Sequence, residues 1–536
     1  MPEDVRSRNE LSARTRSAHG RAAGTSAGER ASCPRSADAR PRSADARARR
    51  SNAHLTATLL LACLAQFMVI LDVSVVNVAL PSIRHGLGFS EANLQWVVNA
   101  YTVTFAGFLL LGGRMADLLG RRRVFVSGLI LFAASSLLGG LAQSQWELIA
   151  MRALQGLGGA VIAPASLSIL TTTFAEGPAR NRAVGIWGAM GGAGGAAGVL
   201  LGGILTTALG WRWILFINVP IGLLAAAAAQ RLIAESRRPG ATRNFDLSGA
   251  IAVTLGLSIL VLGIVRTDST GWGATSTIAL LAAGVALIGV FLAIEGRFAS
   301  APLMPLRIYA SRTLTASNLV VLLIGGATFG MWFFLSLYLQ QVLGYSPIKT
   351  GLAFLPMTLS IAGGSALASR AVARFGTKPL LVIGMLMQTA GLLWFTDISV
   401  GGSYASEVLI PSLLVAIGIG LAFVPATISA VAGVEPHEAG LASGLVNTSR
   451  LFGGAIGLAV LATIATAQTS TDLRTAAHTT TAAHAALTSG FELAFVVAAV
   501  LAGIGALVAL LGLPARQRMS TARAVQAQTA PVESAL

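Results

Sequence analysis

The sequence predicts an all-α polytopic membrane protein, on three observations. Of its 536 residues, 54% are hydrophobic and only 11% are charged, less than half the charge of an ordinary soluble protein. Apolar runs long enough to cross about 30 Å of hydrocarbon recur from residue 55 to residue 513. Within the first run sits an acid, Asp72, about 17 residues or roughly 26 Å along a helix from Leu55. Charge at that depth costs several kcal/mol and persists mainly where it lines a cavity, pairs, or carries protons and ions.

Fourteen runs read as spans, near 55–80, 94–113, 124–143, 147–170, 183–207, 212–231, 246–265, 276–295, 314–340, 347–370, 378–397, 407–432, 439–468 and 490–513. An even number puts both termini on one side, and the loop cations choose the side. Loops after even-numbered spans hold Arg121, Arg122 and Arg123, then Arg180 and Arg182, then Arg237, Arg238 and Arg243. Arg297, Arg307 and Arg312 follow, then Arg370, Arg374 and Lys378, and finally Arg516, Arg518 and Arg523. Loops after odd-numbered spans hold single cations such as Arg84, Arg212, Arg266, Lys349 and Arg474. The pattern predicts a multi-pass protein of the plasma membrane with both ends cytoplasmic and a long Thr- and His-bearing external loop near 466–489.

The net charge of +16 is unevenly placed, and residues 1–50 carry twelve arginines among Ser, Ala and Gly. Residues 1–54 read as a disordered cytoplasmic extension. No aromatic residue is interleaved there, so nucleic acid is not an expected partner. The apolar run that follows is too long for a signal peptide.

Loop lengths divide the remainder into a six-helix bundle at 55–231, a linker at 232–313 with two extra spans, a second bundle at 314–513 and a cytoplasmic tail at 514–536. Weak internal repetition supports this division. Gly113-x3-Asp117-x2-Gly120-Arg121-Arg122 follows the second span of the first half, and Ser369-x3-Ala373-x2-Gly376-Thr377-Lys378 the second span of the other. Parallel repeats of six spans are a transporter plan, with the substrate path between the halves near the midplane.

Several residues carry physical readings of their own. Burial disfavours a carboxylate's charged form, so Asp72 reads either as a protonation switch or as a hydrogen-bonded structural acid, with Asn77 in reach of the same network. Arg152 cannot be a simple proton carrier because a guanidinium stays charged. It either sets the environment of a nearby acid or makes a structural contact, with Gln155, Gly156 and Gly159 on its face of the helix. Gly194, Gly198 and Gly202, with Gly203 beside them, form a small-residue face that permits close helix packing or a sliding hinge. Asp117, between Gly113, Gly120 and Arg121, can cap the third helix or pair with an arginine across the bundle interface. Arg450 lies about 11 residues into its run and reads as buried or as near the inner interface.

These residues belong to stretches that resemble the major facilitator superfamily, and within it the fourteen-span drug:proton antiporters of the EmrB/QacA type. Leu71-Asp72-x-Ser74-x-Val76-Asn77-Val78-Ala79-Leu80-Pro81 is similar to that family's first-helix motif, and Gly113 through Arg122 to the superfamily's loop after helix 2. Arg152 through Ala160, Trp211 through Pro220, and Gly440 through Gly454 resemble the motifs of helices 4, 6 and 13. The resemblance implies a fold of two six-helix bundles with two linking helices. It also implies proton coupling through Asp72 and Arg152, and a conformational latch at Gly113, Asp117, Gly120 and Arg121. One position departs: Val199 stands where the family's helix-5 antiporter motif has proline, which removes a kink-forming residue and weakens the implied direction of transport.

Other classes lack their chemistry. Cys33 and Cys63 form no disulfide framework, and the six histidines lie in tails, loops or helix edges. No Gly-x4-Gly-Lys-Ser/Thr sequence occurs, which removes a nucleotide-driven pump. No cofactor is expected. The proton-motive force, about 2.3 kcal/mol per charge per 100 mV plus any pH gradient, would drive a cycle. Proton-coupled export of an amphipathic drug, antibiotic or secondary metabolite leads; a symporter importing a nutrient uses the same plan; a membrane enzyme or receptor is the remaining class. A monomer is expected to act alone in the bilayer. Asn77, Gln155, Phe333, Phe334, Tyr338, Gln341, Met357 and Asn447 are path candidates by position, with core packing the competing reading of the apolar ones. Such a path suits lipophilic cations or neutral compounds.

Overall fold

The computed structural model describes residues 41–174, 177–236, 246–299, 302–432, 434, 439–475 and 479–514. Among them, fourteen helices are long and apolar enough to cross a membrane, and no strand occurs. They are α1 (Ala53–Leu87), α2 (Glu91–Leu119), α3 (Arg121–Gly140), α4 (Gln145–Thr173), α5 (Arg182–Ala208), α6 (Trp213–Leu232) and α7 (Leu247–Thr267). Then come α8 (Thr275–Phe298), α9 (Arg312–Val342), α10 (Pro347–Phe375), α11 (Thr377–Asp397), α12 (Tyr404–Ala432), α13 (Leu441–Arg474) and α14 (Thr480–Gly512). Arg237, Arg238, Arg243, Arg516, Arg518 and Arg523 lie outside the described residues.

Local chemistry sets the helix ends. Ser90, Ser144, Ser311, Ser346 and Thr479 each accept a hydrogen bond from a backbone N–H three residues on, as Asp246 does at the start of α7. Gly120 and Gly376 turn the chain between α2 and α3 and between α10 and α11, with φ of 110° and 81°. These two left-handed turns fall at equivalent points of the internal repeat, where a side chain would be strained.

Residues 1–40 lie outside the described residues, and helix is described from Pro41. One expectation is corrected. The supposed external loop near 466–489 is mostly helix, with α13 running to Arg474 and α14 starting at Thr480. Thr469 Oγ1 donates to the Ala486 carbonyl at 3.2 Å, and Gln468 reaches Asp472 and Ser489. Polar pairing between the two helices carries both past the apolar run that hydropathy detects.

Packing follows the repeat. In the first six helices α4 lies against α2 and α3, and α3 against α6. In the last six, α9 lies against α13 and α14, and α12 against α10 and α11. Helices gain little from apolar burial when lipid tails surround them, so close approach through small residues holds them together. Gly256, Gly263 and Gly284 bring α7 and α8 into contact, and Thr463 Oγ1 donates to the Ile264 carbonyl at 3.2 Å, joining α13 to α7. The linking pair therefore sits at the seam of the halves, with α7 on α2 and α13 and α8 on α7.

Candidate functional site

Asp72 lies near the middle of α1 and is completely buried. Its Oδ2 accepts from Arg152 Nη1 at 2.6 Å, and its Oδ1 accepts from Gln155 Nε2 at 2.7 Å and from Asn218 Nδ2 at 2.8 Å. Gln155 Nε2 and Asn218 Nδ2 also both donate to Ser136 Oγ at 3.1 Å, and that hydroxyl donates to the Leu215 carbonyl at 2.8 Å. Arg152 is 2% exposed. It donates further to Gln155 Oε1 at 2.7 Å and to the Val97 carbonyl at 3.0 Å, with its guanidinium 4.5 Å from the centroid of the Tyr101 ring. One ion pair thus joins α1 to α4, and neutral amides from α4 and α6 complete the carboxylate's shell.

Chemically the network is a fully buried charge pair. Breaking such a pair by removing one partner costs about 3–5 kcal/mol, because the other charge is left uncompensated. Depth in the span singled out Asp72, the resemblance implied a joint role for Asp72 and Arg152, and helical spacing put Gln155 on the face of Arg152. Asn218 and Ser136 were missed as partners, because nothing in their local sequence separates a buried donor from an ordinary polar helix residue. Asn77 does not share the network: its Nδ2 donates to the Val73 carbonyl of its own helix at 3.2 Å, since five residues along a helix point it away from Asp72.

At the Arg-rich end, Asp117 pairs with Arg121 four residues on, at 2.9 Å. Arg121 Nε donates to Ser168 Oγ of α4 at 2.6 Å, and Nη1 to Ser236 Oγ beyond α6 at 3.3 Å. Glu235 accepts from the Arg122 backbone N–H and forms ion pairs with Arg122 and Arg123. The positive-φ Gly120 faces the Glu235 carboxylate, and its backbone conformation is one that a side chain would strain. Gly113 packs on Pro164 of α4. The acid therefore pairs within its own bundle, and no ion pair links it across the interface among the described residues. Four helix ends of one half are tied into a unit.

The glycine face of α5 splits between two neighbours. Gly194 meets Phe67 and Ile70, Gly198 meets Leu71 and Ser74, and Gly202 meets Val75, all on α1. Gly203 instead meets Pro347 and Ile348 of α10, where Gly351 in turn meets the Val199 carbonyl. Helix α5 runs unbroken through Val199, as expected without the proline. Proline does act on α1. Pro81 has no N–H to give the Asn77 carbonyl four residues back, and Ser336 Oγ of α9 donates to that oxygen at 2.6 Å. Gln340 Nε2 donates to the neighbouring Val78 carbonyl at 2.8 Å. The two halves are thus pinned together away from the Arg-rich end.

Residues 62–458 match the family model described as Major Facilitator Superfamily. The chain belongs to that superfamily. It is 45% identical over 417 residues to "Cephamycin export protein CmcT" of Amycolatopsis lactamdurans, covering 77% of this chain and 86% of that one. It is 42% identical over 409 residues to "Puromycin resistance protein pur8" of Streptomyces alboniger, covering 76% and 81%. A solved bacterial homolog of the human lysosomal transporter Spinster, described as inward-facing and unoccupied, superposes with a TM-score of 0.62 at 17% identity, covering 86% of this chain and 97% of that one.

As a major facilitator protein the chain is a membrane transporter of a small molecule and not an enzyme. Its path candidates divide in this conformation. Phe334 and Tyr338 are buried in the second bundle, Phe334 against Phe491 and Phe495 of α14, with Tyr338 Oη donating to the Ser399 carbonyl at 2.7 Å. Phe333 and Met357 are likewise core residues. Aromatic character marks core and pocket equally, which is why sequence could not separate them. Gln341 differs, because neither end of its buried amide has a hydrogen-bond partner. Asn447 is half-buried and holds Arg450 through its Oδ1.

Proposed function

We propose that this transporter exports amphipathic small molecules, antibiotics or related metabolites, in exchange for protons by alternating access, with Asp72 as the proton carrier. The observation that carries the reading is the sealed Asp72–Arg152 pair with its amide partners from α4 and α6. A permanent pair there would gain nothing over apolar packing, whereas a pair that opens on protonation couples a proton to relative motion of α1 and α4. The names of the two relatives, an export protein and a resistance protein, support outward transport.

In the cycle, the pinned contacts Ser336–Asn77 and Gln340–Val78 hold the external side shut while substrate enters from the cytoplasm. Opening of that side exposes Asp72, which takes up a proton and releases Arg152. The Asp117–Arg121 ties keep the helix ends of the first half moving as one body. Proton loss to the cytoplasm then restores the pair. We further propose cytoplasmic termini from the cation bias, action as a monomer, and no cofactor. Uphill export of an accumulated drug in a drug-sensitive host tests the proposal. Export must collapse on adding a protonophore, and export that survives collapse of the gradient would overturn it.

A further inference from the structure

Arg450 presents a charge that no described acid answers. It lies nine residues into α13, about 13 Å along the helix. Its backbone is pressed against Gly325 of α9, which fixes the side chain's departure point. The guanidinium is half-buried, with Nε and Nη2 donating to Asn447 Oδ1 at 3.4 and 3.1 Å. Its centre lies 5.8 Å from the centroid of the Phe423 ring on α12. Among the described residues the ion pairs are Arg84–Glu91, Arg121–Asp117, Arg122 and Arg123 with Glu235, and Arg152–Asp72. Arg450 pairs with no carboxylate.

The comparison with Arg152 is instructive. Both are intramembrane arginines on the fourth or fifth helix of their halves, and both hold a side-chain amide oxygen three residues away. In the first half an aspartate neutralises the pair. In the second half an amide alone faces the guanidinium, and a dipole cannot compensate a full charge in a medium of low dielectric constant. The surroundings are aromatic. Phe423 lies beside the guanidinium, and Phe329 of α9 packs on Gly454 one turn along α13 while touching the cores of both halves. A cation beside one aromatic ring, with a second aromatic residue packed one turn along α13, fits a molecule with an apolar body and one anionic group.

Building on the exporter reading above, we propose that Arg450 anchors an anionic group of the transported compound, with Asn447 positioning the guanidinium. The substrates are then amphipathic carboxylates or related anions rather than the lipophilic cations or neutral compounds that an apolar path alone suggests. Guanidinium recognises carboxylate through paired N–H donors, and charge-assisted bonds are about twice as strong as neutral ones.

The test uses the full chain in phosphatidylcholine nanodiscs, titrated with 1-pyrenebutyrate and dansylglycine, each beside its methyl ester. Wild type should bind each acid roughly tenfold or more tightly than its ester. R450Q should bind acid and ester alike, at the wild-type affinity for the ester, and R450K should keep part of the preference. If R450Q does not purify as a single species, the wild-type and R450K pairs decide. Equal binding of acid and ester by wild type, no binding of any of the four probes, or an undiminished preference in R450Q would each overturn the proposal. A second arm adds phosphatidylglycerol. If that lipid abolishes the preference and co-purifies with wild type but not with R450Q, the anion is a headgroup and the proposal fails. Transport is read separately in energised proteoliposomes. Export of ethidium without charge-selective binding would sink the Arg450 assignment alone, whereas charge-selective binding without any energised transport would sink the exporter reading.

Discussion

Gly198→Ala tests whether the glycine face of α5 positions the charge network. A Cβ at residue 198 would stand 2.6 Å from Ser74 Cβ and 2.9 Å from the Leu71 carbonyl oxygen, the residues flanking Asp72. Ordinary carbon contact needs about 3.6 Å, so α1 and α5 must part by about 1 Å against the 2.6 Å start. Overpacking of this kind costs about 1–3 kcal/mol, and the displaced segment carries the acceptor of a 2.6 Å bond from Arg152. Gly188→Ala is the matched control in the same helix, since nothing lies within 4 Å of its Cβ position. The assay is melting of detergent-purified protein beside drug export in cells. Gly198→Ala should melt lower and export several-fold less, while Gly188→Ala should match wild type. Equal behaviour of the two variants would refute the argument from close approach.

The remaining predictions concern the ties at either end of the helices. Ser336→Ala removes the donor to the Asn77 carbonyl, and should raise labelling of a cysteine placed at Val78 by an impermeant thiol reagent added outside, on a background with Cys33 and Cys63 replaced. Pro81→Ala restores a backbone N–H for that carbonyl and should mimic Ser336→Ala; unchanged labelling in both would remove the pin from the cycle. Asp117→Asn should leave insertion intact but cut export by at least several-fold, because Arg121 loses its charge partner while Ser168 and Ser236 remain. Near-normal export by a well-expressed Asp117→Asn variant would reduce the tie to a helix-end contact.

The helical fold was legible because each span must satisfy its backbone internally and be apolar over a fixed length. That constraint writes fourteen runs plainly and places the deep charges Asp72 and Arg152 in view. It also explains the error at 466–489, since polar helix packed on polar helix carries no hydropathy signal. The carboxylate's other partners were hidden for a different reason. Asn218 reaches Asp72, and Ser136 reaches the two amides that hold it, only through the tertiary arrangement of α3 and α6 around α1. Glu235 was hidden likewise, because its place under Gly120 depends on where α6 ends. Asn77 was misread by treating nearness in sequence as nearness in space. Its carbonyl, not its amide, makes the contact between halves. A missing proline N–H marks that kind of oxygen in sequence, and Pro81 was there to be read.

The central claim is that protonation of Asp72 opens the pair with Arg152 and drives transport. Proton release on substrate binding measures it most directly, using lightly buffered, detergent-solubilised protein and a pH indicator dye. Wild type, presented with a transported drug, should release protons with a stoichiometry that falls as the starting pH rises. Asp72→Asn keeps the hydrogen-bonding shape but cannot ionise; it should bind the drug, release no proton, and fail to concentrate the drug against a gradient in proteoliposomes. Proton release and uphill export by Asp72→Asn equal to wild type would contradict the account and move the coupling to another acid, such as Asp117, Glu295 or Glu492.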